Sequence, residues 1–174
     1  MVLSVVVVCL NAGSALDKTV RSIIAQDSND YEVIVKDGGS TDGSIEQLPN
    51  DSRIRLIRQR DCGIYDAMNQ AVEYLTGEYA LFMNCGDTFF STRNISEILD
   101  FIQKCRRQRT IYYGDCFTVN RNAIIHYPDK FDDYVCFSKT LCHQATIFPV
   151  ELLKRRRYQT QYKICGDFEL YVYA

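Results

Sequence analysis

The sequence predicts an α/β protein built on a mostly parallel central sheet flanked by helices, with an antiparallel hairpin added in the second half. Three observations predict it. Short β-branched and aromatic runs alternate with amphipathic stretches of helical period through residues 2–84. Each Asp- and Gly-rich motif of that half follows directly on one of the apolar runs. A length of 174 residues, 47% of them hydrophobic, suffices for one domain whose core needs no metal or disulfide staple.

The elements follow in order. VLSVVVVCL (residues 2–10) is a near-continuous β-branched run, expected of a central parallel strand covered on both faces. Ser14 with Asp17 three residues on reads as a capping box, opening a helix whose apolar stripe is Leu16, Val20, Ile23 and Ile24. YEVIVKD (31–37) is a second strand, and RIRLI places a third at Ile54 to Ile57. Tyr65, Met68, Val72 and Leu75 form a helical face that Thr76-Gly77 stops, and YALFMN (79–84) is a fourth strand. Strands joined by such helices form right-handed units and a parallel sheet. Ile95, Ile98, Leu99 and Ile102 mark a further helix. IYYGDCFTV (111–119) and NAIIHY (122–127) read as a hairpin across Asn120-Arg121-Asn122, LCHQATIFP (141–149) gives a short strand, and ICGDFELYVYA (164–174) begins a helix.

Composition narrows the function classes. A formal net charge of -2 argues against whole-domain nucleic-acid binding. The eight cysteines (Cys9, Cys62, Cys85, Cys105, Cys116, Cys136, Cys142, Cys165) form no C-x-x-C pair and read as reduced, small buried hydrophobes. His143 and His126 give no zinc cluster, and His143 reads as a structural residue. MVLSVVVVCL lacks a basic leader and a small-residue cleavage site, so it reads as a strand. No apolar run approaches the ~20 residues of a membrane helix. Lys154 to Arg157 reads as a solvated helix face, or as a contact for an anionic leaflet.

Open parallel sheets bind ligands beyond the carboxyl ends of their strands. Asn11, Asp37, the Asp61 to Asp66 loop and Asp87 all fall there. DGGSTDGS (37–44) is by itself a turn, yet Asp37 at a strand end can accept hydrogen bonds from a nucleobase imide or ribose hydroxyls. CLNAGSAL (9–16) has a single glycine, which excludes a G-x-G-x-x-G dinucleotide site, and the Walker lysine pattern is absent. Asp66 and Asn69 lie one turn apart at a helix start, where they complement the helix dipole or face a diphosphate. Asp87, in FMNCGDTFF (82–90), ends a hydrophobic strand. A hard divalent cation completed by phosphate oxygens and water would offset its desolvation, and a helix N-cap is the alternative.

VVVVCLNAGSALDKTVRSIIAQ, YEVIVKDGGSTDGS, DCGIYDAMNQAVEYLTGEYALFMNCGD and GDFEL, in that order over nearly the whole chain, resemble the family 2 inverting glycosyltransferases, in particular bacterial enzymes of O-antigen, colanic acid or exopolysaccharide assembly. The resemblance implies a GT-A fold, the Rossmann-like α/β fold of nucleotide-diphospho-sugar transferases, as a single domain over residues 1–174. It implies transfer of a hexosyl group from a UDP-, GDP- or dTDP-sugar to a glycan or lipid-linked saccharide. The place implied is the bacterial cytosol, with peripheral contact at the inner membrane leaflet. Cys9, Leu10 and Asn11 would line the nucleotide pocket, Asp37 would hold the base or ribose with Ser40 nearby, and Asp66 would border the diphosphate. Cys85 and Gly86 belong to the D-x-D-like motif, and Asp87 would be its ligand to Mg²⁺ or Mn²⁺. Asp167 matches the catalytic base. The chain departs from the pattern at Asn84 and Gly86, where aspartates are frequent, and at Gly166, where a glutamate often precedes the base. It ends seven residues after Asp167, so the helices that usually follow are expected to be missing. The resemblance leaves two alternatives: a nucleotide-sugar-binding domain with little turnover, and a nucleotidyltransferase.

Overall fold

The computed structural model describes residues 2–105, 110–130, 132, 134–135 and 140–174. The four apolar runs of the first half become the parallel strands β1 (Leu3–Cys9), β2 (Tyr31–Asp37), β3 (Ile54–Arg58) and β4 (Tyr79–Asn84). Helix α1 (Ser14–Ile24) connects β1 to β2, and α2 (Ile64–Val72) connects β3 to β4. After α3 (Asn94–Cys105) come the short strands β5 (Tyr112–Tyr113), β6 (Cys116–Thr118), β7 (Ala123–Ile125) and β8 (Thr146–Pro149). Helices α4 (Val150–Arg155) and α5 (Gly166–Tyr173) end the chain. The six-stranded sheet has the order β3-β2-β1-β4-β8-β5, with β8 antiparallel to both of its neighbours.

The period of two along β1 sorts its side chains between two cores. Leu3, Val5, Val7 and Cys9 pack with Leu16, Val20 and Ile23 of α1 and Ile95 and Ile102 of α3. Val6 turns the other way, to Met68, Ala71 and Val72 of α2, Leu153 of α4 and Leu170 of α5. Helices therefore cover both faces, which is why the strand reads as an unbroken apolar run. The parallel register also aligns the strand ends, with Asp37 opposite both Cys9 and Arg58 and Asn84 opposite Val8.

Several local expectations are corrected. Gly13, not Ser14, holds the N-cap position of α1, and no side chain caps it. The Asp17 carboxylate instead takes Arg21 one turn on, at 2.8 Å. The helix over the Tyr65–Leu75 stripe ends at Val72, although Leu75 is still buried in a turn. The 111–119 stretch is split at Gly114-Asp115. Tyr112–Tyr113 joins the edge of the main sheet, while Cys116–Thr118 pairs with β7 in a separate two-stranded sheet. Of the seven described cysteines, all are free thiols, but only Cys9 is buried and Cys62 and Cys165 are exposed. Cys136 lies outside the described residues. The basic run is not simply solvated: Arg156 pairs with Glu169, and Arg157 pairs with Glu73 and donates to the Asn69 carbonyl.

Candidate active site

The site begins with the turn that ends β4. Asn84 through Asp87 close on themselves through the Asp87 N–H and the Asn84 carbonyl at 3.1 Å, with Gly86 at φ 102, a conformation only glycine takes without strain. Thr19, buried on α1, clamps this turn: its hydroxyl accepts from the Gly86 N–H and donates to the Asp87 carbonyl, both at 2.8 Å. The backbone is thus fixed from below and the Asp87 side chain is left at the surface. Burial by its surroundings raises its pKa, and a hydrogen bond with Gln144 and the charge of Lys18 oppose that rise. Next to it, the Cys85 thiol donates to the Val8 carbonyl at 3.5 Å and the Cys9 thiol to the Lys36 carbonyl at 3.6 Å, and the interaction of the two sulfurs pushes Cys9 up and Cys85 down.

On the other side of β1, two loops are laced together. The Asn11 N–H donates to Ser40 Oγ at 2.8 Å, and the Thr41 N–H donates to Asn11 Oδ1 at 2.9 Å. Asp37, fully buried, accepts the Ser40 N–H at Oδ1 (2.8 Å) and the Arg58 guanidinium at Oδ2 (3.2 Å). Burial works to raise its pKa, but the hydrogen bonds from Ser40 and Gly39 and the charge of Arg58 prevail and hold it below the usual carboxylate range. Leu10 projects from the same edge and is 57% exposed. Asp66 turns back on its own helix start, accepting the Cys62 N–H at 2.8 Å and the Gln70 amide at 3.1 Å.

Asp167 arrives from the far end of the chain. A left-handed Cys165 starts α5, and Asp167 in its first turn lines a cavity of about 260 Å³ together with Tyr65, Met68, Asn84, His143 and Gln144. Gln144 and Cys142 also border a cleft of about 780 Å³ that contains Asp87 and the aromatic rings of Phe89, Phe101, Tyr112 and Phe117. Asp87 and Asp167 thus stand on adjoining cavities that share a wall. Cys9, Leu10, Asn11, Asp37 and Ser40 line neither; they sit together at the carboxyl ends of β1 and β2 and in the loops that follow. His143 is buried against Phe82 and Phe148 and bonds the Tyr158 hydroxyl at 2.9 Å. Burial pushes its imidazole down to about 4, so it is a neutral structural group at pH 7. Thr19, Arg58, Tyr65 and Gln144 are absent from the residues that the motifs single out for the site. Position offers a signal for two of them, since Arg58 ends β3 and Tyr65 directly precedes Asp66 in the first turn of α2, the helix that follows β3.

The model of the family described as "Glycosyl transferase family 2" matches residues 4–165. The chain belongs to that family. Curated relatives include a "PGL/p-HBAD biosynthesis glycosyltransferase" of Mycobacterium bovis (strain BCG / Pasteur 1173P2), 29% identical over 95% of this chain and 66% of its own length. The "Uncharacterized glycosyltransferase YibD" of Escherichia coli (strain K12) is 33% identical over 52% of this chain and 27% of its own length. This family 2 domain therefore spans about 66% of the mycobacterial relative. Among solved structures, S. aureus TarS 1-349 in complex with UDP superposes with a TM-score of 0.79 at 18% identity, over 98% of this chain and 54% of that one. The mannosyltransferase PcManGT from Pyrobaculum calidifontis, in complex with GDP-Man and Mn2+, gives 0.69 at 21% identity, over 91% and 47%. These likenesses show the fold: the family 2 domain is a GT-A α/β domain.

Proposed function

We propose that this family 2 domain transfers a sugar from a nucleotide-diphosphate donor to an acceptor hydroxyl with inversion at the anomeric carbon. The observation that carries the reading is the convergence of Asp167 with the end of β4: a carboxylate from the last helix lines one cavity with Asn84, and Asp87 stands in the adjoining cleft. A base and a cation site on neighbouring walls suit single displacement at a sugar, one removing the acceptor's proton and the other stabilising the leaving group.

The donor nucleoside lies along the rim formed by Cys9, Leu10, Asn11 and Ser40, with Leu10 offering an apolar face. Asp37 receives the base or ribose at Oδ2 once the half-exposed Arg58 side chain swings aside. Asp66, Cys85 and Gly86 border the diphosphate. As the anomeric C–O bond breaks, positive charge develops on the sugar and negative charge on the departing diphosphate. Asp167 takes the proton of the attacking hydroxyl, help worth about 10² to 10⁴ in rate. Mg²⁺ or Mn²⁺, when bound, supplies positive charge to the leaving group. Asp87 fits such an ion as a single surface carboxylate. Among the described residues no group of three or more possible metal ligands occurs, so donor phosphates and water would complete the shell. A relative named for PGL/p-HBAD biosynthesis and structural neighbours in complex with UDP or GDP-Man support a nucleotide-sugar donor. The proposed acceptor is a cell-surface glycan or a lipid-linked saccharide. Among the described residues no helix is long and apolar enough to cross a membrane. Contact with a lipid-linked acceptor at the cytoplasmic leaflet is part of the proposal.

Calorimetric titration with UDP, GDP and dTDP, with and without Mn²⁺, tests the pocket. Binding of one of them that strengthens with Mn²⁺, loses at least about tenfold (~1.4 kcal/mol) in Asp87→Ala and vanishes in Asp37→Ala is expected. Affinity that is unchanged in both variants would sink the assignment.

A further inference from the structure

We infer that Tyr65 is the positioning residue for Asp167, aiming the carboxylate that the proposed function uses as its base, and that Gly166 is the residue that makes room for it. The inference rests on that reading of Asp167, and its own support is geometric. The Tyr65 hydroxyl lies 2.9 Å from the Gly166 N–H and 3.2 Å from Asp167 Oδ1. An N–H can only donate, so it occupies a lone pair of the hydroxyl. The single phenolic proton is then directed at the carboxylate. Burial, and after it the charge of Asp167, raises the Tyr65 pKa, which keeps that proton in place at neutral pH.

The ring itself is held. It stacks on Tyr158, centroids 5.5 Å apart and planes 24° off parallel, and Tyr158 is almost completely buried. Asn69, one turn along α2 from Tyr65, grips the Tyr158 backbone from both sides, donating to its carbonyl at 2.8 Å and accepting its N–H at 2.9 Å. The far end of Tyr158 is tied to His143. Tyr65 therefore has a fixed ring plane and a fixed proton direction. A bond so held sets the carboxylate's rotation and leaves Oδ2 to take the acceptor proton.

Gly166 completes the arrangement. A Cβ at this position would lie 2.8 Å from Tyr65 Cε2 and 2.9 Å from Cζ, inside the ring's contact distance. At such distances something must shift, and the ring that the Cβ meets is the one stacked on Tyr158. Any side chain at residue 166 displaces the hydroxyl from Asp167, so Gly166 and Tyr65 act as one unit.

The test compares wild type, Tyr65→Phe, Gly166→Ala and Asp167→Asn. Hydrolysis is measured on whichever of a UDP-, GDP- and dTDP-sugar panel the wild type turns over with Mn²⁺, alongside nucleoside-diphosphate affinity and carbon-13 spectra of carboxyl-labelled protein. Tyr65→Phe keeps the stacking and is expected to fold. It should lower kcat about 10- to 100-fold, the scale of a misaimed catalytic group, with KM and nucleotide affinity within about twofold of wild type. Gly166→Ala should reproduce that pattern. The Asp167 carboxyl carbon signal should move in Tyr65→Phe at neutral pH whether or not turnover is seen. Wild-type kcat in Tyr65→Phe, or an unmoved Asp167 signal, overturns the inference. An active Asp167→Asn overturns instead the assignment of the base, so the two failures are told apart.

Discussion

Asp37 shows how a single buried charge can be kept without a ligand. Its two oxygens divide their work: Oδ1 takes the Ser40 N–H and shapes the loop after β2, while Oδ2 takes Arg58 from the neighbouring strand. Because these partners hold the folded pKa below the ordinary value near 4, the carboxylate contributes stability above that value and loses it as pH falls through the lower, folded one. Asp37→Asn should therefore melt well below wild type at pH 7, at a cost of about 1–3 kcal/mol for the lost charge-assisted bonds. The gap should narrow steadily below about pH 4, where the wild-type carboxyl also becomes neutral. Thermal melts at pH 7 and pH 3 check this, and a gap of equal size at both would show that the charge is not what matters. Asp87 is the contrasting case, with its carboxyl raised by burial and left at the cleft. One acid organises a loop and the other remains available.

Helix α2 is the element on which the carboxyl-terminal segment is assembled. Tyr65 meets Gly166 and Asp167, Asn69 holds the Tyr158 backbone, and Glu73 pairs with Arg157. Tyr65 and Asn69 lie on successive turns of one face, and Glu73, the C-cap residue, continues that spacing. Asn69→Ala leaves a backbone N–H and a carbonyl without their partner, so it should cost about 1–3 kcal/mol in urea unfolding, with Asn69→Asp costing less because the N–H keeps its acceptor. Equal stability of both variants with wild type would remove α2 from this role. Sequence pattern carries only the local part of this assembly. The strands and helices of the first half were legible because two-sided burial imposes periods of 2 and 3.6, and Asp37, Asp87 and Asp167 stood out as acids at the ends of predicted strands or in a motif. Tyr65 looked like one more apolar position of a stripe, since its partner lies 102 residues away. Arg156 and Arg157 looked solvated for the same reason, their carboxylates being on other helices. The Ser14–Asp17 box failed for a local reason: Arg21, one turn on, is a stronger partner for Asp17 than a backbone N–H. The 111–119 run reads as one strand because the chain leaves the main sheet at Gly114-Asp115 with no change in hydrophobic pattern.

At the scale of the molecule, the carboxyl-terminal edge of the sheet must keep three separate loops in register, and a buried ion pair ties the end of β2 to the loop after β3. Lys36, wholly enclosed, places its ammonium 2.7 Å from Asp61 Oδ2 and 2.6 Å from the Gln59 carbonyl, and Asp61 itself is only 9% exposed. Removing one partner of such a pair strands the other in a place water does not reach, so Asp61→Ala should destabilise the fold by about 3–5 kcal/mol. Removing both charges should cost less: Lys36→Met with Asp61→Ala leaves no stranded ion, only the Gln59 and Asp37 carbonyls short of a donor and the Gly63 N–H short of its acceptor, a penalty nearer to about 1–3 kcal/mol. Urea unfolding of the two single variants and the double gives the coupling directly. If the pair also sets the spacing of the donor rim, nucleotide affinity should fall in Asp61→Ala at temperatures where the variant is still folded, and return only in part in the double, because apolar replacement restores stability without restoring the tether. A double variant as unstable as Asp61→Ala, or a single variant within about 1 kcal/mol of wild type, would mean that the loops are held by the sheet alone and that the ion pair is incidental.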